Sequence, residues 1–238
     1  MGMLGQPDGT YVDNAAHRLY HAGRAFLCDR NVEALQVWNG HALLLSSDTD
    51  CLSLWDSDGL VRTTRVGVYP QDMAVSDNTA YVCGGADGML HLLDLPSLQA
   101  VADYPLPGMP ERVAFHGDTA CLLTLLADYD VQTLLLRLDL RNGTYQELAR
   151  YAGLPGAISA TETGLWVGVS ETVLHIPHDS TEADFVIEGF GLPRRIETQG
   201  DSVLITDPLE GVITRVTQKP RPAVEVLYRG DVENHLFS

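Results

Sequence analysis

Lysine is almost missing from this chain. Lys219 is the only one, and all basic residues together number 15 against 32 acidic ones in 238 positions. The formal net charge of −17 leaves no basic face for a nucleic-acid backbone or an anionic bilayer, so neither is expected as a partner. Long hydrophobic runs are lacking too. The longest, such as Ala120 to Ala127, fall far short of the roughly 20 residues that span a membrane. The N-terminus MGMLGQPDGTYVDNAA has neither the basic start nor the apolar run of a signal peptide. Cysteine is sparse: Cys28, Cys51, Cys83 and Cys121 stand far apart in apolar segments, with no C-x-x-C among them. That spacing fits free thiols in a reducing cytoplasm better than two disulfides or a metal site. No G-x-S-x-G elbow and no phosphate loop occur, and few stretches carry the apolar stripe of an amphipathic helix. A cytoplasmic, monomeric protein without a cofactor is expected.

The residues that are present point to repetition. An apolar share of 45 % excludes disorder, and 22 Gly and 12 Pro predict frequent turns. A polar turn followed by a small residue and an apolar strand recurs as NGHALLLSS from Asn39, DNTAYVCGG from Asp77, GDTACLLTL from Gly117, TETGLWVGV from Thr161 and GDSVLITDP from Gly200. From Ala42 through Ala80, Ala120 and Gly164 to Ser202 the intervals are 38, 40, 44 and 38 residues. A period near 40 without helical periodicity predicts one four-stranded propeller blade per repeat. First strands follow a proline, as in PQDMAVS, PERVAFH, PGAISAT and PRRIETQ, where a missing N–H costs nothing. Third strands follow an acidic turn, as in DCLSLWD, DGMLHLLDL and EGVITRV.

The ends extend the pattern. Asp8-Gly9 of the head aligns with Asp87-Gly88, so the head is expected to supply strands two to four of a blade whose first strand is the tail DVENHLFS. Counted through the termini, two more intervals of 37 and 41 residues complete the chain length. The prediction is an all-β, single-domain propeller of six blades, at about 31–68, 69–108, 109–153, 154–191, 192–230 and 231–238 with 1–30. Five blades plus an N-terminal extension is the alternative.

The third-strand ends LSLWDSDGLV, LHLLDLPSLQAV and LLRLDLRNGTYQEL resemble the V-x-V-x-D-x-x-T-G pattern of YVTN-type propeller repeats. That pattern is shared by NHL-like, WD40-like and lactonase-like propellers. The pattern decays at His175-Ile176-Pro177-His178 and at Arg215-Val216-Thr217, and Trp55-Asp56 stands alone as a WD pair. The resemblance therefore implies blades and no particular chemistry.

In a propeller, the loops from strand four to the next strand one share a face with those from strand two to strand three. On this chain they carry Glu33, Asp72, Glu111, Arg112, Arg194, Arg195 and Asn234 in the first set. The second set holds Asp8, Asp48, Asp50, Asp87, Asp128, Asp130, Glu171, Asp207 and Glu210. Two readings stand. The acids form a face for a positively charged peptide or protein, or they shape tight turns. Likewise Arg112, Arg194 and Arg195 either anchor a carboxylate or phosphate of a ligand, or neutralise Glu111 and Asp72. A non-catalytic binding propeller taking a protein, a peptide or a small ligand at this face is the expected function. The alternative is a lactonase-like metal-dependent hydrolase or lyase, with Glu33, Asp72 and Asn234 as its ligands. Asp56 to Gly59 and Asn142-Gly143-Thr144 read as hairpin turns, and His91 and His175, at one place in strand three, as sheet-packing residues.

Overall fold

A computed structural model describes residues 3–217 and 223–230. It is all-β: six four-stranded antiparallel sheets, each an up-and-down meander, with no helix among the described residues. The first holds β1 (Met3–Gly5), β2 (Tyr11–Asp13), β3 (Arg18–His21) and β4 (Arg24–Leu27). The second holds β5 (Val32–Trp38), β6 (His41–Ser46), β7 (Cys51–Asp56) and β8 (Gly59–Arg65). The third has β9 (Asp72–Ser76), β10 (Thr79–Cys83), β11 (Met89–Asp94) and β12 (Ala100–Pro105). The fourth has β13 (Met109–His116), β14 (Thr119–Ala127), β15 (Val131–Asp139) and β16 (Thr144–Ala152). The fifth has β17 (Pro155–Ala160), β18 (Gly164–Val169), β19 (Thr172–Pro177) and β20 (Phe185–Glu188). The sixth has β21 (Arg195–Gln199), β22 (Ser202–Asp207), β23 (Val212–Thr217) and β24 (Ala223–Arg229). These sheets are six propeller blades, the fold class expected from the repeat.

The head differs from its expected form. It makes all four strands of its sheet rather than strands two to four. The reason is local. Ala22 and Gly23 have φ of 50° and 75°, the pair of left-handed residues that a two-residue type I′ hairpin requires. The stretch from Arg18 to Leu27 therefore folds back on itself as β3 and β4, with His21 opposite Arg24. The expected first strand at Asp231 to Ser238 lies outside the described residues. Asn39-Gly40, with φ of 48° and 77°, closes the β5–β6 hairpin in the same way.

The chain divides into two compact units, one reaching Val113 and the other starting at Ala114. In the first unit, Leu43, Leu45, Leu52 and Leu54 of one blade pack on Met73, Ala80, Val82 and Leu93 of the next. In the second, Trp166 and Val173 pack on Ile196, Val203, Ile205 and Val216. The middle strands are covered on both faces, which explains why β6 and β18 read as continuous apolar runs. Burying each such side chain contributes about 1.5–3 kcal/mol. Fourth strands lie outermost and are mostly exposed, as in β8. The strand ends thus stand on a packed scaffold, and their loops are placed by it.

Candidate functional site

In the first unit, Glu33 is the extra residue of a β-bulge. Val32 pairs with Ser46 and Ala34 with Leu45, leaving Glu33 out of the ladder. Bulges re-aim a side chain, and here Glu33 Oε1 accepts a hydrogen bond from Ser47 Oγ at 2.7 Å. Asp72 opens β9, and its Oδ2 accepts the backbone N–H of Val113 at 3.1 Å, tying one blade to the next. Burial pushes the Asp72 carboxyl above the usual carboxylate range, and the Arg112 guanidinium opposes that rise. Arg112 Nη1 donates to the carbonyl of Glu111 at 2.5 Å and stands 3.8 Å from Glu111 Oε2. Both side chains are largely buried, at 14 % and 15 % exposure. Cys83 lies opposite Asp72 in the ladder. Burial raises its thiol pKa, with the Asp72 charge adding to the effect. Asp72, Glu111, Arg112 and Cys83 therefore form one cluster in which a single guanidinium faces two carboxylates.

In the second unit, Arg194 is exposed, and its backbone N–H donates to Thr206 O at 2.9 Å. Arg195 Nη2 pairs with Glu197 Oε1 at 2.5 Å, two residues along the same strand face. Asn234 lies outside the described residues.

The acidic turn residues separate into two groups. Asp8, Asp50, Asp87 and Asp207 hold backbone N–H groups. Asp207 is fully buried and does the most: it accepts from Gly191 at 2.5 Å, Leu192 at 3.3 Å, Leu209 at 3.1 Å and Glu210 at 3.3 Å. Asp48, Asp128, Asp130, Glu171 and Glu210 are exposed. Large apolar side chains sit among those of the second unit, with Tyr129 fully exposed, Leu209 at 71 % and Leu154 at 45 %. Backbone bonds link these loops in sequence: Gly153 N to Val131 O, Ser170 N to Leu154 O, and Gly189 and Phe190 N to Glu171 O. The Asp207 bonds continue the chain of contacts, and Gly230 N to Gly211 O ends it. The result is a pre-formed rim along one end of the sheets.

Three histidines form arrangements that sequence reasoning reached only in part. His91 lies between two carboxylates, Nε2 at 2.8 Å from Asp87 Oδ2 and Nδ1 at 2.7 Å from Asp103 Oδ1. His175 lies between Thr163 and Asp184 and packs on Trp166, ring centroids 4.9 Å apart. His21 joins Thr10 Oγ1 to the carbonyl of Gly40. A His in strand three with an Asp four residues before it, as at Asp87 and His91, is the signal that could have found the first. Asp56 and Asn142 cap their own hairpins, accepting the N–H groups of Asp58 and Gly59, and of Thr144.

No protein-family model matches the chain, and no curated protein does either. Solved structures do. A catalytically inactive virginiamycin B lyase from Staphylococcus aureus, solved with quinupristin, is similar at TM-score 0.71 and 14 % identity, over 94 % of this chain and 82 % of that one. The Pan2 WD40 domain of Neurospora crassa is similar at TM-score 0.65 and 8 % identity, over 82 % and 65 %. BamB from Moraxella catarrhalis gives 0.59 and 12 %, over 84 % and 66 %. At such identities the likeness shows the β-propeller fold.

Proposed function

We propose that this protein is a non-catalytic binding propeller that engages a positively charged peptide or protein segment at the loops joining second to third and fourth to first strands. The observation that carries this reading is the bonded rim of the second unit. There Tyr129, Leu154 and Leu209 are exposed beside Asp128, Asp130, Glu171 and Glu210. Exposed apolar anchors within an acidic surround suit a segment that alternates large apolar and basic residues. The chain's net charge of −17 draws such a segment in at long range. Arg194, exposed on the same rim, offers a local contact for one acidic group on the partner. The four thiols are free, which suits a reducing, cytoplasmic setting, and a monomer leaves the rim open.

The metal-dependent alternative needs oxygens aimed at a common point. Glu33 is engaged with Ser47, and Asp72 with Val113 and Arg112. Among the described residues, no three His, Cys, Asp or Glu side chains are grouped to hold a metal ion.

The test is a synthetic peptide library alternating Arg or Lys with Leu, Phe or Trp, screened against the wild type and against Tyr129→Ala combined with Leu209→Ser. The reading expects wild-type binders that weaken as salt rises, on a Debye length of about 8 Å at physiological ionic strength. It expects the variant to lose them. Binders retained equally by the variant at every salt concentration would refute the rim, and a stoichiometric divalent cation in the purified protein would favour the metal-dependent reading.

A further inference from the structure

At the other end of the second unit's sheets, the turns between first and second strands of three blades enclose a groove of about 500 Å³. That is within the range of small-ligand sites, roughly 300–1,000 Å³. One wall is made by Phe115 and His116, at the end of β13. The His116 ring does not swing freely, because it stacks on His178 with centroids 3.5 Å apart and planes 20° from parallel. His178 is fixed in turn: its Nε2 donates to Thr161 O at 2.7 Å, and Arg137 Nη2 donates to the His178 carbonyl at 3.2 Å. The wall is thus a held aromatic face rather than a loose side chain.

The other walls are polar, and among the described residues no Arg or Lys lines the groove. Glu162 and Asp201 bring carboxylates from two different turns, while Thr198 and Ser202 bring hydroxyls. Gly117 and Gly200, with φ of 56° and 57°, turn the chain at two edges of the groove, and a Cβ at either would meet nothing within 4 Å. Phosphates, sulfates and acidic sugars are held best by cationic side chains, and the described lining residues supply carboxylates instead. A neutral sugar needs what is there. Its C–H face rests on an aromatic ring, its hydroxyls donate in pairs to a carboxylate, and its oxygens accept from Thr and Ser.

We propose that this groove, between the Phe115–His116 wall and the carboxylates of Glu162 and Asp201, binds a short neutral saccharide. The site lies at the opposite end of the same sheets from the rim and stands or falls independently of it.

The experiment uses the full chain with maltotriose, cellotriose and chitotriose as probes, read by saturation-transfer NMR and by calorimetry, with inorganic phosphate and spermidine as charged comparators. At least one trisaccharide is expected to bind the wild type. Glu162→Gln, Asp201→Asn and His116→Ala are each expected to weaken it by about tenfold or more, a factor that corresponds to about 1.4 kcal/mol. The melting curve checks that each variant stays folded, and the three lie on separate turns, so one unfolded variant leaves two readouts. Three results overturn the proposal: no trisaccharide bound at about 10 mM, binding that all folded variants retain, or binding of spermidine or phosphate in place of every saccharide.

Discussion

Replacing Asp207 tests whether the rim is built or merely incidental. The carboxylate is fully buried and collects N–H groups from two loops, Gly191 and Leu192 in the connection to β21 and Leu209 and Glu210 in the β22–β23 turn. Hydrogen bonds to a charged acceptor contribute about 1.5–3 kcal/mol each, and donors left buried and unsatisfied cost about as much. Counting only the two shorter bonds, to Gly191 and Leu209, Asp207→Ala should cost about 3–6 kcal/mol before water enters the gap. An observed loss of about 3–5 kcal/mol is therefore expected in equilibrium urea unfolding. For a chain of this size that lowers the Tm by about 6–20 °C, at about 2–4 °C per kcal/mol. Asp207→Asn keeps one carbonyl acceptor but sets an NH2 donor against one of the N–H groups, and should cost less, about 1–2 kcal/mol. Amide exchange at Gly191, Leu192 and Leu209 should quicken in both variants, since these loops lose their common acceptor. A loss under about 1 kcal/mol for Asp207→Ala, with amide exchange unchanged, would mean that water already serves these N–H groups and that nothing pre-forms the rim.

Three further outcomes follow from ionisation and thiol chemistry. Partial desolvation of the exposed His116 ring, reinforced by the His178 and Arg137 charges, holds its pKa below its ordinary value; the unfolded chain then binds the proton more readily, so stability attributable to this ring is lost as pH falls from about 6.5. His116→Gln should show a shallower decline than the wild type between pH 7 and 5 in paired melts, and parallel curves would contradict it. Asp72 has the opposite sign. Its raised carboxyl pKa makes ionisation costly in the folded state, so the stability of Asp72→Asn relative to wild type should increase as pH rises through and above about 4, and a flat difference would refute the burial argument. Burial raises the Cys121 thiol to about 11 and that of Cys83 also upward. Iodoacetamide at pH 8 should label all four cysteines in unfolded protein yet spare these two in the native state, and reductant should leave the Tm unchanged.

The blades were legible because packing dictates them. A strand covered on both faces must be apolar throughout, as in Leu43-Leu44-Leu45, and the turn before it needs residues that accept left-handed backbone, as Asn39-Gly40 does. The head is less legible. Ala22 adopts φ of 50° beside Gly23, and because alanine does not favour left-handed backbone, a single glycine is all that marks the β3–β4 hairpin in the sequence. Register hid other features. Asp103 reaches His91 only because the ladder sets the two opposite each other, across twelve residues of chain.

The candidate sites were harder to read for a different reason. An Asp before a third strand satisfies two physical demands equally well in sequence, since its carboxylate caps a tight turn and also charges a surface. Asp207 and Glu210 are three residues apart in one turn, and only burial distinguishes them: the first is wholly inside and bonded to four N–H groups, the second exposed. The same holds for arginine. Arg112 and Arg195 sit at matched positions after a proline, but Arg112 lies against Glu111 near Asp72, while Arg195 pairs along its own strand with Glu197. A charge consumed in holding a loop is poorly placed to recognise anything else, because a partner must first compete with the existing bond. Recognition on this chain is therefore to be sought at side chains that the fold leaves in solvent, namely Tyr129, Leu154 and Leu209 with their acidic neighbours at one end, and Glu162 and Asp201 at the other. These are also the positions whose replacement should leave the Tm nearly unchanged, in contrast to Asp207. Paired melts and binding curves separate the two classes, and a rim variant such as Leu209→Ser that unfolds the protein would place that residue with the scaffold instead.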